Sequence, residues 1–79
     1  MEVDNDKIDN TVLALLHLTS FTDHGGTRAW KGHDWNSLNR LHEKGVISDP
    51  RSTAKSVVLS AEGAKRASIL FETLFGKKG

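Results

Sequence analysis

The sequence predicts a small α+β fold, mainly helical, in the order helix, short strand, helix, β-hairpin, helix. Three observations predict it. Three segments repeat apolar residues at helical spacing, and each is preceded by a capping residue. Gly25-Gly26 and Gly45 interrupt the pattern where turns are needed. Between Val46 and Leu59 the helical period gives way to short β-branched runs around Asp49-Pro50. With 79 residues, 37% of them hydrophobic and 27% charged, there is room for one hydrophobic core, so residues 1–79 read as a single domain.

The first helix is predicted from about Asn5 to Ser20, with Ile8, Val12, Leu15 and Leu16 forming its buried face and Leu13 and Leu18 widening it. Asp4 is the expected N-cap, and Val3 and Ile8 occupy the two positions of a hydrophobic staple. After the break at Phe21 to His33, Thr27 to Trp30 reads as a brief strand. Asp34 is placed to cap a second helix, Trp35 to Lys44, with Trp35, Leu38 and Leu41 inward. Gly45 supplies a left-handed residue just past its end, and Val46 can fold back on Leu41 as in a Schellman stop.

Val46-Ile47-Ser48 reads as one strand of a hairpin, residues 49–53 as its turn, and Lys55 to Leu59 as the return. Val57 and Leu59 share the inward side by the period of two, and the Trp30 strand is expected to pair on this hairpin. Ser60 caps a third helix from Ala61 to Phe75, with Ala64, Ala67, Phe71, Leu74 and Phe75 as its buried stripe. Residues 76–79 are expected to fray.

Composition excludes several functions. The longest apolar run, Val12 to Leu18, is far short of the roughly 20 residues that cross a bilayer, so no membrane role is expected. An acidic N-terminus is unlike a secretory leader, and a chain with no cysteine suits a reducing compartment; the expected location is the cytoplasm. The formal charge of +1 is unevenly spread. Residues 1–23 carry one basic group against five acidic, and residues 24–79 carry ten basic against five acidic.

The second half of the chain resembles that of winged-helix regulators. Leu38, Leu41, Gly45 and Ile47 end a helix as Leu-x-x-Leu-x-x-x-Gly-x-Ile, and Val57-Val58-Leu59-Ser60-Ala61-Glu62-Gly63 opens the next. The resemblance implies a reduced winged helix, with helix 35–44 as recognition helix and the 46–59 hairpin as wing. It departs from the full fold in having only residues 21–33 where a further helix would precede the recognition helix. The whole chain is also similar to an uncharacterised bacterial family of short proteins. The motifs that carry this are Ala29-Trp30-Lys31-Gly32, Asp34-Trp35, Leu41-His42-Glu43-Lys44-Gly45, Ile47-Ser48-Asp49-Pro50 and Lys55-Ser56-Val57-Val58-Leu59. That similarity implies no activity.

Nucleic acid, DNA first, is the leading expected ligand. Asn36, Asn39 and Arg40 are expected on the outward side of the second helix, as side chains able to make bidentate base contacts, with Lys44, Arg51 and Lys55 reaching phosphates. The competing expectation is a protein-interaction or assembly module, a homodimer built through Leu13, Leu18, Ile69 and Leu70 on the overfilled first and third helices. Trp30 and Trp35 could stack on bases, but their place at element junctions favours core anchoring. His17 is expected to be partly buried and His42 to face solvent.

No metal or cofactor is expected. His24, His33, Asp23 and Asp34 fit no established zinc spacing, and Gly25-Gly26 lacks the Lys and Ser/Thr of a phosphate loop. Nothing orders Ser, His and Asp as nucleophile, base and orienter, so no enzyme activity is expected.

Overall fold

The computed structural model describes Met1–Lys77; the last two residues of the expected frayed tail, Lys78 and Gly79, lie outside the described residues. Its elements in order are α1 (Asn5–Leu18), β1 (Phe21–Asp23), β2 (Gly26–Trp30), α2 (Trp35–Glu43), β3 (Ser56–Val58) and α3 (Ala61–Phe75). The α+β class and the three helices are as the sequence predicts, and the layout is consistent with a reduced winged helix.

All three helix starts follow from their caps. Asp4 accepts the Lys7 amide at 3.2 Å, Asp34 the Ser37 amide at 3.0 Å and Ser60 the Gly63 amide at 2.9 Å, so each satisfies an amide that the helix itself leaves unpaired. The end of α2 is a Schellman stop. Gly45 takes φ +76°, the Val46 amide reaches Leu41 O at 3.2 Å and the Gly45 amide reaches His42 O at 2.9 Å. Val46 and Leu41 are both buried, which supplies the hydrophobic contact of the motif.

The sheet differs from the expected one. It has the order β1-β2-β3, all antiparallel, and its hairpin is β1–β2, with Phe21 opposite Arg28 and Asp23 opposite Gly26. Asp23 Oδ1 accepts the Gly25 amide at 2.7 Å and Gly26 takes φ +103°, which together turn the chain. β2 pairs with β3, Ala29 opposite Val57 and Trp30 opposite Ser56, as the expected pairing of the Trp30 strand requires.

The expected 46–59 hairpin is reduced to an isolated bridge between Ile47 and Leu59. The reason is local. The Val58 amide, which a regular ladder would give to a backbone carbonyl, goes instead to Ser48 Oγ at 2.9 Å, while the Ser48 amide reaches Val58 O at 2.8 Å. Pro50, buried and without an amide of its own, then leads the chain away from the sheet. Lys31 fixes the departing loop, donating from Nζ to Pro50 O at 2.8 Å and Ser52 O at 2.6 Å.

The core joins Val12, Leu13 and Leu16 of α1, Ala29 and Val57 of the sheet, Leu38 and Leu41 of α2, Val46, Ile47 and Leu59 of the connecting segments, and Ala67 of α3. α1 packs chiefly on α3 and then on α2. Several expected inward residues lie elsewhere: Ile8, Trp35, Leu74 and Phe75 are exposed, as is Val3 of the expected staple. Leu74 and Phe75 extend beyond the last core residue of α3, Ala67, and Trp35 stands in the first turn of α2, ahead of Leu38.

A close approach ties α3 to the end of α2. Gly63 passes so near the Val46 carbonyl oxygen that a Cβ on it would overlap that atom, and both the Ser60 amide, at 3.0 Å, and Ser60 Oγ point at the same carbonyl. Gly63→Ala, ordinarily favourable inside a helix, is expected to destabilise the protein by about 1–3 kcal/mol, the usual cost of overpacking. Thermal unfolding followed by circular dichroism checks this; an unchanged or raised midpoint would contradict it.

Candidate nucleic-acid interface

The residues expected to face a nucleic acid from α2 divide into two groups. Asn36 is exposed and Asn39 is half-buried. Arg40, expected outward, instead turns back onto α1: its Nε donates to Asp9 Oδ2 at 2.7 Å and its Nη2 to Asp9 Oδ1 at 2.8 Å. This corrects the expected outward orientation: the Nε–Nη2 edge of the guanidinium holds a carboxylate and is not free for guanine. Lys44 lies 3.6 Å from Asp6 and 3.9 Å from Asp9, and Arg51 lies 3.1 Å from Asp49. Of the six candidates, Lys55 is the exposed cation with no carboxylate within 4.0 Å among the described residues.

Asp9 explains why Arg40 is diverted. Its side chain has no solvent exposure, and a buried carboxylate must be paired. The Arg40 guanidinium holds the Asp9 carboxyl below the usual carboxylate range, overriding the upward push of burial, and Lys44 adds to the effect. Asp9 was legible as an anomaly: it precedes Val12, Leu13 and Leu16 by three, four and seven residues, and so stands in the apolar stripe of α1.

The open surface lies on the sheet. Side chains alternate across each strand, so Ala29 and Val57, both fully buried, fix the inner side, and Phe21, Arg28, Trp30, Ser56 and Val58 occupy the outer one. On that side Phe21 and Trp30 are exposed, and Arg28, Ser56 and Val58 are half-buried. Trp30 is 57% exposed and Phe21 51%; Trp30 lies on the sheet surface and Trp35, 47% exposed, at the start of α2, so neither is the core anchor expected from sequence. Arg28 Nε donates to Ser56 Oγ at 2.9 Å, which ties the side chain across to β3. No carboxylate lies within 4.0 Å of it among the described residues.

The Trp30 indole rests against Gly32, close enough that a Cβ there would overlap Nε1; glycine is what allows the ring to lie down. Phe21 and Arg28 escaped the sequence reading because β1 was not foreseen, although Arg28-Ala29-Trp30 already places Arg28 and Trp30 on one side of a strand.

Among the expected dimer residues, Leu13 is 1% exposed and belongs to the core, which removes it from any interface. Leu70 is half-buried against the core, whereas Leu18 and Ile69 are exposed. His17 is half-buried against Phe71, with ring centroids 5.3 Å apart. His42, expected in solvent, is half-buried with Nδ1 3.1 Å from Ile47 O. Among the described residues there is no group of three or more metal-ligating side chains, and no helix is long and apolar enough to cross a membrane.

Residues 4–77 match the model of a family described as a domain of unknown function, DUF6429. The chain belongs to this family. An uncharacterised protein of Sinorhizobium fredii, y4hR, is 53% identical over 75 residues, which cover 95% of this chain and 97% of that protein. No solved structure matches the chain significantly. The family description carries no activity, so any functional reading of this member rests on its surface chemistry.

The buried pair makes a pH prediction with a definite sign. Because the folded-state pKa of Asp9 is depressed, its stabilising contribution is complete above the unfolded carboxylate value of about 3.9 and is lost as pH falls through the lower folded value. Asp9→Asn is therefore expected to lower the melting temperature at pH 7 and to lessen the further fall below about pH 4. Parallel melting curves for the wild type and the variant at both ends of that range would disprove it.

Proposed function

We propose that this member of the family is a nucleic-acid-binding module whose contact surface is the outer side of the sheet. One observation carries the reading: Phe21, Arg28 and Trp30 share an uncovered surface, and its cation has no carboxylate partner among the described residues. Lys55, an exposed cation just before β3, lies next in the chain to Ser56, and its carbonyl accepts the Lys31 amide at 3.2 Å. Cations supply attraction to phosphate, and aromatic rings supply faces for bases. On α2, by contrast, carboxylates already engage Arg40 and Lys44, which leaves Asn36 and Asn39 as its polar contribution.

Binding of a labelled oligonucleotide, followed by anisotropy across a salt titration, tests the proposal. Affinity is expected to fall with salt; Lys55→Ala should reduce the salt slope by about one, and Arg28→Ala should weaken binding by about tenfold. Lys44→Ala, whose charge is already engaged, should change affinity little. Absence of binding at low salt would overturn the reading.

A second reading, self-association, is favoured by a separate surface. Leu18 of α1 and Ile69, Leu74 and Phe75 of α3 are exposed apolar side chains on the two helices that pack together, and Ile69 and Leu70 line a shallow depression with Glu62, Lys65 and Arg66. That depression carries both signs of charge, as a two-fold contact between identical surfaces requires. Sedimentation equilibrium at tens of micromolar is expected to give a dimer mass, reduced toward monomer by Ile69→Glu. A monomer mass for the wild type would exclude it.

A further inference from the structure

We propose that the sheet surface selects single-stranded over duplex nucleic acid, by stacking unpaired bases on Trp30 and Phe21 while Arg28, on the same side of the sheet, holds the backbone. The inference rests on the nucleic-acid reading above and specifies its ligand.

Geometry is the first argument. Phe21 stands directly opposite Arg28, so Phe21 and Trp30 are one diagonal step apart on neighbouring strands, roughly 7–8 Å between their backbone positions, with the indole laid against Gly32. In a duplex the rise per nucleotide along each strand is about 3.4 Å, and base faces are covered by their neighbours. Side chains carried at this backbone spacing on two strands reach two separate bases only where the nucleic-acid strand is extended and its bases are splayed apart. Unpaired segments offer that arrangement, and duplexes do not.

Charge is the second argument. Duplex binding depends on neutralising many phosphates, commonly by a helix set in the major groove with cations on either side. Here α2 has only nine residues, its first turn carries no basic residue, and Arg40 and Lys44 are engaged by Asp9 and Asp6. The sheet surface instead has one cation, Arg28, on the side that carries two exposed rings, with the exposed Lys55 adjoining β3 in the chain. Few phosphate contacts with exposed π faces match a single strand.

The third argument is that both Trp30 and Arg28 are held in place before any ligand arrives. The indole lies on Gly32, where a side chain would displace it. The Arg28 guanidinium is anchored through Nε to Ser56 Oγ, and its terminal nitrogens have no carboxylate within 4.0 Å among the described residues. Ordering rotamer-rich side chains in advance reduces what binding must offset.

The test uses the full chain carrying Trp35→Phe, so that Trp30 is the sole indole. It is titrated with a short oligothymidylate, with the same length of abasic strand, and with a duplex of equal length. Oligothymidylate is expected to quench Trp30 and to bind at least tenfold more tightly than the duplex, and the abasic strand to bind more weakly without quenching. Trp30→Ala should lose roughly 5- to 150-fold in affinity for the single strand, the span expected for one stacked base, while Trp30→Phe retains most of it. Melting curves of these variants establish that they remain folded, as the exposure of Trp30 leads one to expect.

Duplex binding equal to or tighter than single-strand binding, with Trp30 emission unchanged, would overturn the single-strand inference and leave the nucleic-acid reading standing. Equal binding of abasic and intact strands would overturn it in the same way. Failure of every probe to bind at low salt would overturn both.

Discussion

A carboxylate with no exposed surface sits in the apolar stripe of α1, and the arrangement of the helices depends on what satisfies it. Asp9 meets the two-pronged guanidinium of Arg40, from a residue 31 positions later, at 2.7 and 2.8 Å. A planar fork against a planar carboxylate is directional in a way that leucine against leucine is not, so the pair fixes how α2 is rotated and shifted along α1. Hydrophobic contacts among Val12, Leu13, Leu38 and Leu41 supply the cohesion, since a buried ion pair is weak evidence of net stabilisation. The pair ties Arg40 of α2 to α1 and so turns that side chain away from the outer side of the helix.

That coupling accounts for the contrast between the two sides of the molecule. α2 is drawn inward by Arg40, with Lys44 close to Asp6 and Asp9, so its charge is largely compensated within the protein. The sheet has its inner side filled by Ala29 and Val57 and its outer side left to Phe21, Arg28 and Trp30. Helices lie on one side only, and the molecule measures 35 × 34 × 19 Å, thin enough for two layers. A recognition role for α2 and a platform role for the sheet thus make different demands on the same cations, and the internal ion pairs favour the platform.

Signals that act over a few residues were legible in the sequence. Asp4, Asp34 and Ser60 cap the helices they precede, and Gly45 with Val46 ends α2, because each motif is closed by hydrogen bonds within five residues. Signals that depend on distant partners were not. β1 is a strand because Phe21 finds Arg28 across a turn, and Arg40 points inward because of Asp9; neither partner is specified by local period. The tryptophans illustrate the same limit. An aromatic beside a junction belongs to the core in most settings, and here the sheet places Trp30 on its uncovered side. The sheet surface was therefore not legible as a site: local signals assign Trp30 to the core and single out neither Phe21 nor Arg28.

The irregular segment at Ser48 has a consequence for how the molecule behaves in a crowded solution. Regular edge strands expose rows of amides and carbonyls that template the addition of further chains, and flat apolar sheets are prone to it. On the β3 side, Ser48 Oγ occupies the Val58 amide and Pro50 has none to offer, so the ladder ends in a side chain and a proline rather than a free edge. On the other side β1 is three residues long and closes on Asp23. Both edges of the sheet are thereby short, which limits strand-by-strand addition beside the two aromatic rings on its outer side.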